Sequence, residues 1–144
     1  MIDLAVDELA GGADLALQAV EGWRDWPGGK LLLIGPEGAG KSHLAQIWRE
    51  MSGARVLRAS DLRDADVPAL AGTPVVVEDA DRIAGAEAAL FHLHNLVTAG
   101  AALMLTARTP PRDWGLSLPD LQSRLQAAQI ARLEAPDDAL LSAV

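Results

Sequence analysis

The sequence predicts an α/β protein: a three-layer fold with a parallel five-stranded sheet covered by helices on both faces. Three observations carry this. Short, wholly apolar runs read as strands buried on both sides; segments with helical spacing alternate with them; and a glycine-rich loop stands at the first strand-to-helix turn. At 144 residues the chain suits one domain, expected to span 1–144, with no repeat, low-complexity tract or long linker to divide it.

The elements follow in order. Asp14–Trp23 (DLALQAVEGW) has helical spacing of Leu15, Ala19 and Trp23, with Asp14 placed to cap it. Asp25-Trp-Pro-Gly-Gly29 is a turn. Lys30–Ile34 (KLLLI) is a short buried strand, and Ser42–Met51 beyond the glycine-rich loop is a helix. Residues 54–58 (ARVLR) form a second strand. Val75–Val77 form a third, with three β-branched residues in a row. Gly85 to Thr98 is a helix with Leu90, Leu93 and Val97 on one side, ended by Gly100. Ala101–Thr106 is a fourth strand, stopped by Pro110-Pro111. Leu118–Ala128 is helical, Gln129–Leu133 is the fifth strand, and Pro136 opens a last helix.

Composition narrows the function. Half the residues are apolar and 22% are charged, the balance of a soluble globular protein. The longest apolar stretch, near Ala101–Leu105, is far shorter than the ~20 residues of a membrane span. No basic-then-apolar leader opens the chain, so a cytoplasmic location is expected. Without cysteine there are no disulfides, thiolate chemistry or cysteine zinc sites. The net charge of −8 is the wrong sign for an electrostatic footprint on nucleic acid, and the ten arginines are scattered. Direct duplex binding is not expected. The early acids Asp3, Asp7, Glu8, Asp14, Glu21 and Asp25 read as a solvated face.

The chemistry begins at Gly35-Pro36-Glu37-Gly38-Ala39-Gly40-Lys41-Ser42, a full match to G-x-x-x-x-G-K-[ST]. Glycines let the backbone curl so that successive N–H groups face phosphate oxygens, and the following helix adds its positive N-terminal end. Lys41 is placed for the β- and γ-phosphates, and the Ser42 hydroxyl for Mg²⁺. A buried strand before the motif and a helix after it supply the context the motif needs. His43, next in line, is read as packing the helix start at the edge of this site. A P-loop enzyme also needs an acid at a neighbouring strand end, and Val75-Val-Val-Glu78-Asp79 provides two. Strand alternation sends them to opposite sides, so Glu78 is assigned to the Mg²⁺ shell and Asp79 to water activation. The bland alternative has both acids capping a loop with Asp81 and Arg82.

His92 and His94 stand two apart on a helix and cannot form an i, i+4 zinc pair; both are read as ordinary, partly exposed histidines. Trp23, Trp26, Trp48 and Trp114 are read as core or interface residues.

With these motifs in place, the sequence from about Trp23 onward resembles the DnaA-related AAA+ ATPases, and within them the Hda-type regulators. GPEGAGKSHL resembles the family's P-loop and following histidine, and VVVEDADR stands at its acidic strand end. LFHLHNL resembles the aromatic-rich helix that follows, and LMLTARTPP the strand ending in a polar sensor before Pro-Pro. LQSRL resembles the segment bearing the arginine finger, and LEAPD the close of the core. The resemblance implies a sheet of order 5-1-4-3-2, ATP or ADP as ligand with Mg²⁺, and hydrolysis completed at a subunit interface. It makes Thr106 the first sensor and Arg124 a finger offered to a neighbour's nucleotide. It implies a DnaA-type initiator and a sliding clamp as partners, with self-association through the finger interface. The output implied is hydrolysis of initiator-bound ATP, which limits replication initiation.

The chain departs from that pattern in several places. Glu78 stands where the initiator commonly has aspartate. Ala107 and Arg108 replace the small polar and acidic residues after the sensor strand. Only Leu9 answers the adenine-contacting segment within Asp7–Asp14, and no glutamine-led clamp peptide is seen. The helical lid with the second sensor arginine is expected to be missing, so intrinsic hydrolysis is expected to be weak without a lid or partner. An autonomous P-loop ATPase or a small-molecule kinase is the alternative. A kinase needs an arginine-bearing lid, and no candidate appears between Arg55 and Thr73. A helicase-loader-like module would need a helicase-binding extension.

Overall fold

The computed structural model describes residues 13–134. The helix expected at Pro136, Leu9 and the early acids Asp3, Asp7 and Glu8 lie outside them, while Asp14, Glu21 and Asp25 are described and exposed. Nine regular elements are described in chain order: α1 (Ala13–Glu21), β1 (Lys30–Ile34), α2 (Lys41–Ser52), β2 (Arg55–Arg58), β3 (Val75–Glu78), α3 (Glu87–Gly100), β4 (Leu103–Ala107), α4 (Pro119–Gln126) and β5 (Gln129–Arg132). Short 3-10 turns join them.

All five strands pair in parallel in the order β2-β3-β4-β1-β5, the expected 5-1-4-3-2 read from the other edge. Parallel strands need crossovers that lie on the sheet faces, and these bury β1, β3 and β4 on both sides. Period-2 alternation then divides the core. Leu32 and Ile34 of β1 pack with α3 and α4 on one face. Leu31 and Leu33 pack with α1 and α2 on the other. β2 is an edge strand and largely exposed, which explains why its arginine-bearing sequence is tolerated.

The differences from expectation are local. The first helix ends at Glu21, and Trp23 falls in a following 3-10 turn. Residues 59–70, where no element was expected, hold two 3-10 segments (Ala59–Asp64 and Val67–Leu70) that bury Leu62, Val67 and Leu70. Trp26, Trp48 and Trp114 are core residues, while Trp23 is half-buried and meets Trp48 edge-on at 5.9 Å. Among the described residues no helix is long and apolar enough to cross a membrane.

Candidate nucleotide site

The site lies at the carboxyl ends of the strands, where an open parallel sheet presents its loops. β1 runs out at Ile34, and the Gly35 amide continues the ladder by donating to the Ala107 carbonyl at 3.0 Å. Gly35 is glycine for reasons of space: a Cβ there would stand 2.5 Å from the carbonyl oxygen of Leu133, at the exit of β5. Gly38 and Gly40 answer to a different demand. Their φ values of 80° and 104° lie in the left-handed region, with no atom near where a Cβ would stand.

Gly40 is also the N-cap of α2 and offers no side chain to the helix end. The first amides of α2, those of Lys41, Ser42 and His43, have no acceptor within the helix and carry its positive end. They face a concavity of about 460 Å³. Its walls are Glu37, Gly38 and Gly40 of the loop, Lys41, Ser42 and His43 of the helix, and Asp79 from β3. Backbone donors at a helix start beside an ammonium and a hydroxyl make an anion site.

Lys41 is buried, and its ammonium donates to the carbonyls of Gly35 and, at 3.0 Å, Pro36. Burial lowers its pKa from the usual lysine value, while the carboxylates of Asp81, Asp79 and Glu37 oppose that shift. The remaining loop residues hold the curl: the Pro36 carbonyl accepts from the Ala39 amide at 3.2 Å, and Ala39 packs toward the α1–α2 core. His43 does not pack the helix start as the sequence suggested. It is exposed on the rim of the concavity, since the inward positions of that turn are taken by Leu44 and Ala45.

β3 ends at Glu78, and the next residue breaks strand alternation. Asp79 sits at φ 56°, ψ 46°, the left-handed region that aspartate tolerates better than most residues. Its amide donates to the hydroxyl oxygen of Thr106 on β4 at 3.2 Å, so a buried threonine fixes the turn that places Asp79 on the concavity. Glu78, half-buried, is not among the lining residues. Among the described residues no three histidine, aspartate or glutamate side chains are arranged to hold a metal ion by themselves. Mg²⁺ at phosphates commonly takes one or two carboxylates, a hydroxyl and substrate oxygens, and Ser42 with one strand-end acid fits that donor set.

Two charged pairs on this end of the sheet were not singled out by the sequence. Nε and Nη2 of Arg108 both donate to Oδ2 of Asp81 at 3.1 Å, and Arg82 stands 3.9 Å from Glu37. Position was the available signal, because residues just beyond parallel strand ends gather at the ligand edge.

Arg124 is brought elsewhere. It lies in the last turn of α4, exposed, with its guanidinium carbon 5.9 Å from the Phe91 ring centroid. That is the α3–α4 face, whereas the P-loop helix covers the other. Its charge acts on Lys30 and His94, near the start of β1. His94 is the second correction: it is buried, with Nε2 3.0 Å from the Lys30 ammonium and Nδ1 2.9 Å from Oδ1 of Asn95. Burial lowers its pKa first, aided by the Lys30 and Arg124 charges and opposed by the Asn95 bond. His92 is exposed.

Fold and loop together make an α/β domain with a parallel five-stranded sheet of order 5-1-4-3-2 and a phosphate-loop motif at its first strand-to-helix turn. Solved structures similar to it include DnaA proteins. Domain III of DnaA from Thermotoga maritima superposes with a TM-score of 0.73 at 19% identity, over 89% of this chain and 65% of that one. AMPPCP-bound DnaA from Aquifex aeolicus gives 0.72 at 18%, over 85% and 47%. A DnaA bound to AMPPCP and single-stranded DNA gives 0.69 at 17%, over 85% and 46%. This chain therefore spans between about half and two thirds of the length of those proteins, and the likeness is one of fold. No family model matches the sequence.

Proposed function

We propose that this chain is an adenine-nucleotide-binding AAA+ module of the DnaA-related kind, acting as an Hda-like regulator that promotes hydrolysis of ATP held by a DnaA-type initiator. The observation that carries the nucleotide reading is the concavity where Lys41, Ser42, Asp79 and the first amides of α2 converge. AMPPCP, an ATP analogue, is bound in two of the similar DnaA structures.

In this reading the Gly35–Ser42 loop and His43 receive the phosphates, the Lys41 ammonium exchanging its carbonyl partners for phosphate oxygens. Mg²⁺, when bound, neutralises phosphate charge and would be held by Ser42 with Glu78 in its shell. Asp79, turned onto the concavity by its Thr106-anchored backbone, is the group able to orient and polarise a water there. Thr106 keeps its own hydroxyl proton to donate, which suits a sensor. Arg124, on the far face from its own loop, is offered to the nucleotide of a second molecule. The initiator and a sliding clamp are the partners proposed, and the finger face is the surface for self-association.

Calorimetric titration with Mg-ADP and Mg-ATP, with Lys41→Ala as control, tests the site. Micromolar binding that weakens at least about tenfold in the variant supports it, since an ammonium–phosphate contact is a charge-assisted bond. Absence of binding by the wild type refutes the nucleotide reading of this chain and the autonomous-enzyme alternative with it. The regulatory half is tested separately: wild type, but not Arg124→Ala, should accelerate hydrolysis by a DnaA-type protein loaded on a clamp. Acceleration by a small hydroxylated acceptor instead would make the chain a kinase.

A further inference from the structure

Three carboxylates gather at the phosphate end of the sheet. Glu37 and Asp79 line the concavity, and Asp81 adds a third carboxylate that acts on Lys41 more strongly than either. A triphosphate brings about four further negative charges to the same place. The arrangement is tolerable only with cations besides Lys41, and Arg108 is placed to be one.

Its placement is set by the sheet. Ala107 is in register with Ile34, and the Gly35 amide bonds the Ala107 carbonyl at 3.0 Å, so Arg108 leaves β4 beside the first residue of the phosphate loop. Asp81 then restrains it. Both Nε and Nη2 converge on the single oxygen Oδ2 at 3.1 Å, leaving three of the five guanidinium N–H donors outside the pair. The pair is asymmetric: the Asp81 side chain is 8% exposed and that of Arg108 44%. The carboxylate is the fixed member, and the guanidinium the one with a solvent-facing side. Lys41 reaches for the β- and γ-phosphates in such a loop. Arg108 is not itself a wall of the concavity, but its charge is felt at Lys41, so it weighs more on the terminal phosphate than on the rest of the nucleotide.

We propose that Arg108, restrained by Asp81, is a triphosphate-selecting residue of this site. Its guanidinium adds attraction for the terminal phosphate, and the Asp81 carboxylate sets how much of that attraction is expressed. The inference rests on the nucleotide reading above, and it concerns a position where the sequence departs from the family it resembles.

The test is the ratio of Mg-ADP to Mg-ATP dissociation constants, by calorimetry, in wild type, Asp81→Asn and Asp81→Asn/Arg108→Ala. Arg108→Ala alone would leave a nearly buried carboxylate without its partner, so the double variant is the cleaner one, with thermal melts of the nucleotide-free proteins to show that each is folded. Asp81→Asn should raise the preference for ATP, and the double variant should lower it about tenfold from there, the low end for a charged hydrogen bond because the group is partly exposed. Equal ratios in the two variants, even with both affinities changed, would overturn the inference while leaving the nucleotide site standing. Binding of neither nucleotide by wild type would remove both.

Discussion

Gly35→Ala separates the two reasons a P-loop contains glycine. At Gly35 the added Cβ would lie 2.5 Å from the Leu133 carbonyl oxygen, 3.1 Å from its Cβ and 3.2 Å from its carbonyl carbon. The obstacle is backbone, and it cannot swing away as a side-chain tip could. Ordinary contact at 3.4 Å requires the chain at Leu133 to retreat by roughly 0.9 Å, which also strains the 2.8 Å bond from the Leu133 amide to the Ile34 carbonyl. Overpacking of this kind costs about 1–3 kcal/mol, and the rigid obstacle puts Gly35→Ala in the upper part, about 2–3 kcal/mol.

In a domain of this size each kcal/mol moves the melting temperature by about 4 °C, so the variant should melt about 10 °C lower. Gly38→Ala is the control, because its Cβ meets nothing within 4 Å and carries only the penalty of φ 80°. That penalty is about 1–2 kcal/mol in a fixed backbone, and less in a loop free to relax. Circular dichroism melts and urea titrations followed by tryptophan fluorescence would measure both. A Gly35→Ala protein within 0.5 kcal/mol of wild type, or one more stable than Gly38→Ala, would refute the assignment of Gly35 to strand packing.

Other expectations follow from single contacts. Thr106→Val keeps the side-chain shape but strips the acceptor from the Asp79 amide; it should cost about 1–2 kcal/mol in urea unfolding. An unchanged midpoint would mean that the turn does not depend on that bond. His94 has a folded pKa below its ordinary 6.5, so the unfolded chain holds more protons in acid. Its contribution is present above pH 6.5 and lost as pH falls below it, by at most about 1.4 kcal/mol per pH unit, and His94→Gln should flatten that slope. Glu87, in the first turn of α3, accepts from the amides of Ser117 and Leu118 and from the Ser117 hydroxyl. Leu118, the N-cap of α4, makes no side-chain cap of its own. Glu87→Ala should cost about 1 kcal/mol near neutral pH, measured by urea titration. Burial would raise the Glu87 pKa, but these bonds outweigh it and leave it below the ordinary 4.5, so this contribution disappears as pH falls through that value.

The sheet was legible because strands buried on both faces are almost wholly apolar. KLLLI, VVV and the apolar run to Thr106 had no other reading, and only their ends moved by a residue or two. The phosphate loop was legible because its motif fixes backbone conformation locally. What escaped depended on residues far apart in the chain. Two histidines two apart on a helix face different ways, but which one turns inward, and why it can stay there, is decided by Lys30, 64 positions away on β1. The left-handed turn at Asp79 is likewise supported by Thr106, 27 residues on. Gly35 was explained by phosphate curl until β5 came to lie against it. The stretch 59–70 escaped because 3-10 turns have neither the 3.6 nor the 2 period that pattern reading uses.

The two faces of the sheet constrain how the proposed roles can combine. Lys41, Ser42 and Asp79 meet at the carboxyl end of β1, with α2 on one face. Arg124 belongs to α4 on the other face, and its charge acts on Lys30, the first residue of β1. Five strand residues rising about 3.3 Å each separate Lys30 from the loop by roughly 16 Å, before the thickness of the sheet is added. Arg124, whose charge acts on Lys30, therefore lies toward the opposite end of β1 from its own phosphate site. In the proposed reading the two halves of the chemistry work together across two molecules. That reading has one molecule present its α3–α4 face, with Phe91 beneath the guanidinium, to the strand-end concavity of the other. Arg108 does sit at its own loop, so any selection between ATP and ADP that it makes belongs to the single molecule, and any use of Arg124 belongs to the assembly.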